Sequence, residues 1–182
     1  MEDRVKRLKR FQNGSPIEII ETLLNSLDNF FNKREIDIAA SSNLWLLVVL
    51  GIHAMALTIS HGFVNKDGHE GFKYFLKNFV DTNEEGFNFS EISREIHEYR
   101  NIIAHRWLSD FGYKFGLDLE MTKGWEKRKE VIFLNPKLYY KAYNNVFAAG
   151  GRIWNYDKIL SQDQLQEAKT RLLEKYTREV KK

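Results

Sequence analysis

Apolar residues recur every three or four positions in several segments of the chain, which predicts a mainly helical protein. The sequence Ser15-Pro16-Ile17-Glu18 has the form of a helix start: a serine N-cap, a proline at the first helical position and a capping-box glutamate. From Ile36 to about Ser60 the chain is apolar almost all round, as in a central helix that is covered on every side. The pattern predicts helices over about 16–32, 36–60, 69–80, 90–107, 136–157 and 161–179.

Between about 113 and 134 the pattern changes from helical to alternating. Residues 113–119 alternate apolar and polar side chains, and Val131–Leu134 is a short β-like run. The basic segment 123–130 between them predicts a turn, and therefore a β-hairpin. The expected fold class is all-α: a bundle of about five to six helices with a small β-hairpin insertion near 113–134, in a single domain over 1–182.

Composition narrows the class of protein. Hydrophobic residues make up 43% of the 182-residue chain and charged residues 29%, which is typical of a globular protein. Cysteine is absent, which excludes disulfides, thiolate nucleophiles and cysteine-bearing zinc sites. The start of the chain has no secretory signal, and the longest apolar run, 44–57, is shorter than the roughly 20 residues of a membrane span. We therefore expect a cytoplasmic protein with no membrane partner.

The positive charge is concentrated at the two ends of the chain and in one turn. The net charge is +3, but residues 1–10 alone carry +3, residues 123–130 carry +2 and residues 169–182 carry +4. The rest of the chain is therefore mildly acidic. The basic tails 1–10 and 169–182 are either phosphate-contacting segments or ordinary solvated termini.

The helix that begins near Ser90 carries the candidate catalytic residues. With residues placed at 100° intervals, one face is an apolar stripe and another is a polar stripe. Arg100 lies at the margin of the apolar stripe, about 140° from His105 on an ideal helix. The two side chains of one straight helix therefore do not easily reach the same phosphate. Two antiparallel copies related by a two-fold axis could bring one of each side chain to the same phosphate. The apolar stripe is Phe89, Ile92, Ile96, Tyr99, Ile103 and Trp107, and the polar stripe is His97, Asn101 and His105.

These residue types suit phosphodiester cleavage. A histidine titrates near neutral pH and can give or take a proton. An arginine keeps its charge and presents a fork of donors to phosphate oxygens. An asparagine one turn from the histidine can orient it or donate to the phosphate. Such a site needs no metal and no cofactor.

The segment Arg100-Asn101-Ile102-Ile103-Ala104-His105 resembles the signature of HEPN domains, in which an arginine is followed four to six residues later by a histidine. HEPN proteins are small α-helical bundles that generally dimerise with this signature facing the partner. Many are metal-independent endoribonucleases in toxin–antitoxin pairs or phage defence.

The resemblance implies a role for each residue of the signature. His105 would be the acid/base or 2′-hydroxyl-activating group, Arg100 would bind and polarise the scissile phosphate, and Asn101 would position them. His97 and Arg106 are candidate substrate-binding residues. The implied partners are RNA, a second copy of the chain and a possible antitoxin or regulatory protein. The product would carry a 2′,3′-cyclic phosphate.

Other interpretations remain open from the sequence. Arg100 can pair with a carboxylate such as Glu95 or Glu98, and His105 can simply cap the end of its helix. The chain can also be a non-catalytic HEPN-like module that dimerises or binds a nucleotide or a partner protein; a helix-turn-helix DNA binder is disfavoured because no basic recognition helix is evident.

The five histidines do not favour a metal site, because neither Glu-Xaa2-His nor His-Glu-Xaa2-His occurs. We expect His53, in the apolar helix, to be a hydrogen-bonded core histidine or a residue that contacts a site residue without contacting the substrate.

Overall fold

The structure, a computed structural model, describes residues 13–82, 86–106, 114–147 and 156–180, without the side chains of 104–106, 157–158 and 176–180. Most of the described chain is helical, in agreement with the expected fold class. The helices are α1 (Pro16–Leu27), α2 (Asp37–Ser41), α3 (Trp45–Val64), α4 (Gly68–Phe75), α5 (Ser93–Arg106), α6 (Pro136–Phe147), α7 (Tyr156–Ile159) and α8 (Gln162–Val180), and the strands are β1 (Phe115–Leu117), β2 (Trp125–Arg128) and β3 (Val131–Leu134).

Helix α3 forms the centre of the hydrophobic core. Half of its residues are buried, among them Val48, Ile52 and Phe63, which have no exposed surface. Helices α4, α5, α6 and α8 all pack against it. The central helix predicted from the apolar run is therefore confirmed, although it begins later than predicted and extends to Val64, where Asn65 ends it in the left-handed conformation.

The boundary between the first two predicted helices was wrong. Helix α1 continues without a break through a π-helical segment, Asp28–Ile36, into α2. The break comes instead at Ser42–Leu44, where Asn43 has φ of 58° and the Leu44 and Asn43 amides donate to the carbonyls of Ala39 and Ala40. This is a Schellman ending with asparagine in the left-handed position. Residues 33–35, between the two predicted helices, belong to this continuous helix, and their side chains are exposed.

The predicted β-hairpin is correct in place but wrong in pairing. Strands β2 and β3 form the antiparallel hairpin, joined by the turn Lys129–Glu130, and β1 pairs parallel with β3 on its other side. The segment 113–119 is thus not a hairpin arm. Strand β2 was missed because Glu126, Lys127 and Arg128 are polar. Polar residues suit a strand at the edge of a sheet, but the same pattern is typical of a turn.

One carboxylate accepts hydrogen bonds from the backbone just before α5. A turn of 3₁₀-helix, Phe89–Ile92, precedes α5. Asp81, which follows a π-helical turn at the end of α4, accepts hydrogen bonds from the Phe89 amide at 2.8 Å and from the Ser90 amide at 2.9 Å. The sequence predicts a helix that begins near Ser90; the acceptor for the first amides is Asp81, eight and nine residues earlier in the chain.

The two C-terminal helix starts follow the sequence. Asn135 Oδ1 accepts from the Lys137 and Leu138 amides at the start of α6, and Ser161 forms a reciprocal capping box with Gln164 at the start of α8. Helix α6 is described only to Phe147, because the next part of the predicted helix 136–157 lies outside the described residues, and Tyr156 begins a separate short helix.

Helix α3 is long and apolar enough to cross a membrane by length and composition, and 56% of its most apolar stretch is buried inside the fold. The core helix of a soluble protein meets the same criterion, so this property does not by itself indicate a membrane span.

The carboxylate of Asp81 should be important for stability because it is the acceptor for two amides of the 3₁₀ turn that leads into α5. We expect Asp81→Ala to lower the free energy of unfolding by about 2 kcal/mol, since hydrogen bonds to a charged group are lost. Asp81→Asn keeps one oxygen acceptor and should lose about 1 kcal/mol. Urea denaturation measures both, with exposed Lys77→Ala as the control. Equal midpoints for Asp81→Ala and the wild type would contradict this role.

Candidate functional site

Helix α5 has the orientation that its sequence pattern predicts. Ile96 is fully buried, Ile92 and Ile103 are nearly so, and Tyr99 packs on Phe115 of the sheet with ring centroids 4.7 Å apart. Trp107, the last member of the predicted stripe, lies outside the described residues. The helix therefore buries its apolar side and leaves His97 and Asn101 of the polar stripe half-buried at the border of the fold.

Arg100 and Asn101 of the signature contact each other directly. Arg100 Nη1 donates to Asn101 Oδ1 at 2.7 Å, and both side chains are half-buried. The amide oxygen of Asn101 faces Arg100, and its NH₂ group can donate to a ligand. The pair therefore presents hydrogen-bond donors and one positive charge.

No carboxylate within the described ranges forms an ion pair with Arg100. Glu98 Oε1 lies 3.7 Å from Nε of Arg94, which precedes it by one turn on the exposed side of α5. The alternative in which Arg100 is neutralised by Glu95 or Glu98 is therefore not what the described structure shows. An arginine that is unpaired with a carboxylate keeps its charge available to an anion.

Two histidines from different helices contact each other near this pair. His53 of α3 has no exposed surface, and its Nε2 lies 2.8 Å from Nδ1 of His97, which is half-buried on α5. The contact fixes the rotation of the His97 ring. The prediction that His53 is a hydrogen-bonded core histidine is confirmed.

A third histidine, His69 of α4, extends this cluster. Its ring lies edge-on to that of His97, with centroids 5.9 Å apart, and its Nε2 is 3.1 Å from Ser93 Oγ at the start of α5. Phe72 of α4 covers the His53 ring, with centroids 4.4 Å apart. The sequence did not indicate the part played by His69 and Ser93, because their proximity depends on how α4 packs against α5.

Burial and neighbouring positive charge keep the inner histidines neutral. Burial, together with Arg100 and His97, lowers the pKa of His53 to about 3. Burial, His69 and Arg100 also lower the pKa of His97, and Glu98 opposes this shift. Near pH 7 both rings are therefore uncharged, and Arg100 carries the fixed positive charge beside them.

His105 and Arg106 lie in the last turn of α5. Their side chains are outside the described part of the structure, so their contacts with the Arg100–Asn101 pair stay predictions. Among the described residues, no group of three or more histidines or carboxylates is arranged to hold a metal ion.

The described side chains of the site can bind an anion. Arg100 supplies charge and Asn101 supplies an amide donor, while His97 adds a ring nitrogen, Nε2, without a hydrogen-bond partner among the described residues. Donor groups around one cation match the oxygens of a phosphate. We found no family model, curated protein or solved structure that matches this chain.

The depressed pKa of His53 makes stability depend on pH. In the unfolded chain His53 takes a proton below its ordinary pKa of 6.5, whereas in the folded chain it stays neutral until about pH 3. The unfolded state therefore binds more protons between these values, and stability falls as the pH drops through 6.5. From pH 7 to 5 we expect His53 to account for a loss of about 2 kcal/mol.

The matched variant is His53→Gln, which cannot titrate. Urea denaturation at pH 7 and pH 5 should show a loss of stability that is smaller in His53→Gln than in the wild type by about 2 kcal/mol. The same loss in both proteins would mean that His53 is not the group that titrates on unfolding.

Proposed function

We propose that the protein is a metal-independent endoribonuclease, with its site on the polar side of α5. The observation that carries the proposal is the Arg100–Asn101 pair, in which an arginine with no carboxylate partner among the described residues is held by the amide that follows it in the sequence. His105 lies about one turn further along the same helix. This arrangement suits RNA, because its phosphates supply the anion and its 2′-hydroxyl supplies the nucleophile.

In this mechanism the 2′-oxygen attacks the adjacent phosphorus, and the bond from phosphorus to the 5′-oxygen breaks. His105 takes the proton from the 2′-hydroxyl, and the departing 5′-oxygen takes a proton from water. Arg100 neutralises the charge that develops on the phosphate oxygens, and the Asn101 amide and Arg106 position the substrate. The products are a 2′,3′-cyclic phosphate and a 5′-hydroxyl.

Cleavage should be independent of metal and dependent on the signature. Purified protein incubated with total and transfer RNA in EDTA should produce fragments with 2′,3′-cyclic phosphate ends. His105→Ala removes the proton acceptor and should lower the rate at least about 100-fold, and Arg100→Ala by a similar factor.

One control lies on α5 and the other lies on α3. Arg94→Ala removes an exposed arginine from the same helix, and His61→Ala removes an exposed histidine from α3. Both should cleave as the wild type does. Full activity of His105→Ala would refute the proposed mechanism, and cleavage by neither wild type nor variants would favour the non-catalytic module that dimerises or binds a nucleotide or partner.

We further propose that two copies of the chain combine their signatures. Arg100 and His105 diverge around one helix, and half-buried Ile102 beside them is an apolar side chain suited to a contact between copies. An antiparallel pair of α5 helices at a two-fold axis would bring Arg100 of one copy towards His105 of the other.

Mixing inactive variants tests this shared site. Subunit exchange between Arg100→Ala and His105→Ala gives dimers in which one of two shared sites is intact. About a quarter of the wild-type activity should return, because half of the dimers are mixed and each has one site. No recovery after demonstrated exchange, or a monomer at micromolar concentration in light scattering, would contradict the shared site.

The biological setting that suits such an enzyme is the cytoplasm, where RNA is abundant, in a toxin–antitoxin or phage-defence role. An antitoxin or regulatory protein would then restrain its activity.

A further inference from the structure

The contact between His53 and His97 has two possible proton arrangements with opposite chemical consequences. Two neutral imidazoles 2.8 Å apart share one hydrogen, carried either by His53 Nε2 or by His97 Nδ1. In the first case His97 carries its own proton on Nε2 and is a hydrogen-bond donor to a ligand. In the second, Nε2 of His97 is a lone pair and can act as a base.

The buried end of His53 favours the first arrangement. Its Nδ1 is buried and has no hydrogen-bond partner in the part of the chain that the structure describes. If His97 donated, this atom would be a buried N–H without an acceptor, which is rarer in proteins than an acceptor without a donor. The first arrangement also places both protons on Nε2, the intrinsically preferred tautomer of a neutral histidine side chain, whereas the second needs the less favoured tautomer in both rings.

The groups around His97 favour its neutral form, which both arrangements require. His53 of α3 is neutral and buried, His69 of α4 lies edge-on, and Arg100 is the nearest fixed positive charge on α5. Glu98 is the one negative group among the described residues that acts on His97, and it is exposed and close to Arg94. His97 is therefore held in a setting that disfavours its cationic form.

We propose that His53 is a positioning residue that fixes His97 as a neutral donor, whose Nε2–H binds a phosphate oxygen beside Arg100. That the phosphate belongs to RNA rests on the proposed function; the proton arrangement does not. His97 would then contribute to binding and not to proton transfer, and the acid/base role stays with His105.

Nitrogen NMR of the histidine rings in the full-length wild type tests the proton arrangement directly. At pH 7 we expect the His97 Nε2 to have the shift of a protonated ring nitrogen and its Nδ1 that of an acceptor, with the same pattern for His53. Assignment comes from the spectra of His53→Gln and His97→Gln. A protonated Nδ1 on His97 would overturn the proposal.

Inorganic phosphate tests the binding role. Its addition should shift the His97 Nε2 signal in the wild type. In His53→Leu the fixing donor is lost and phosphate should bind about tenfold more weakly. His53→Gln has an amide that reaches about as far as imidazole Nε2, so it should stay within about threefold of the wild type. His61→Gln, at an exposed site, is the control.

The outcomes separate this inference from the proposed function. The predicted ring spectra and phosphate binding in a protein that does not cut RNA would support an anion site at His97 and Arg100, with His97 positioned by His53, and would refute the nuclease. Equal phosphate affinity in the wild type, His53→Leu and His53→Gln would overturn the positioning role of His53, whether or not RNA is cleaved.

Discussion

The packing of α3 against the helices around it is the constraint on which the rest of the structure depends. Because α3 is covered by α4, α5, α6 and α8, the imidazole of His53 has no access to water and must find its hydrogen bond inside the protein. The acceptor or donor that meets it is His97 of α5. A polar contact in an apolar setting thus fixes how α5 is rotated against the core, which apolar packing alone specifies less sharply.

The rotation of α5 determines which of its side chains a ligand can reach. Asp81 holds the 3₁₀ turn that leads into α5 through two backbone amides, and the contact between the two histidines holds the middle of the helix. With both fixed, Arg100 and Asn101 emerge at the border of the fold as a pair of donors with one positive charge. An anion that binds there meets groups already in place, so little conformational entropy is lost on binding.

The sequence predicted those features that depend on local periodicity and failed where contacts are distant. The apolar stripe of α5 and the caps at Ser15, Asn135 and Ser161 follow from spacing within a few residues. The Asp81 cap does not, because its partners are eight and nine residues away across a loop. The parallel pairing of β1 with β3 likewise depends on how the chain crosses over, and a charged edge strand has no apolar alternation to reveal it.

The part of the candidate site that the sequence indicated is the polar stripe of α5, whereas the link from His97 to His53 joins residues 44 positions apart. The central claim is that Arg100 binds a phosphate. Fluorescence anisotropy with a 2′-O-methyl RNA, which lacks the nucleophile, measures this directly at several salt concentrations. Arg100→Ala should bind more weakly and reduce the slope of log affinity against log salt by about 0.7, the value for one single-strand phosphate contact. The same affinity and slope in both proteins would contradict the account.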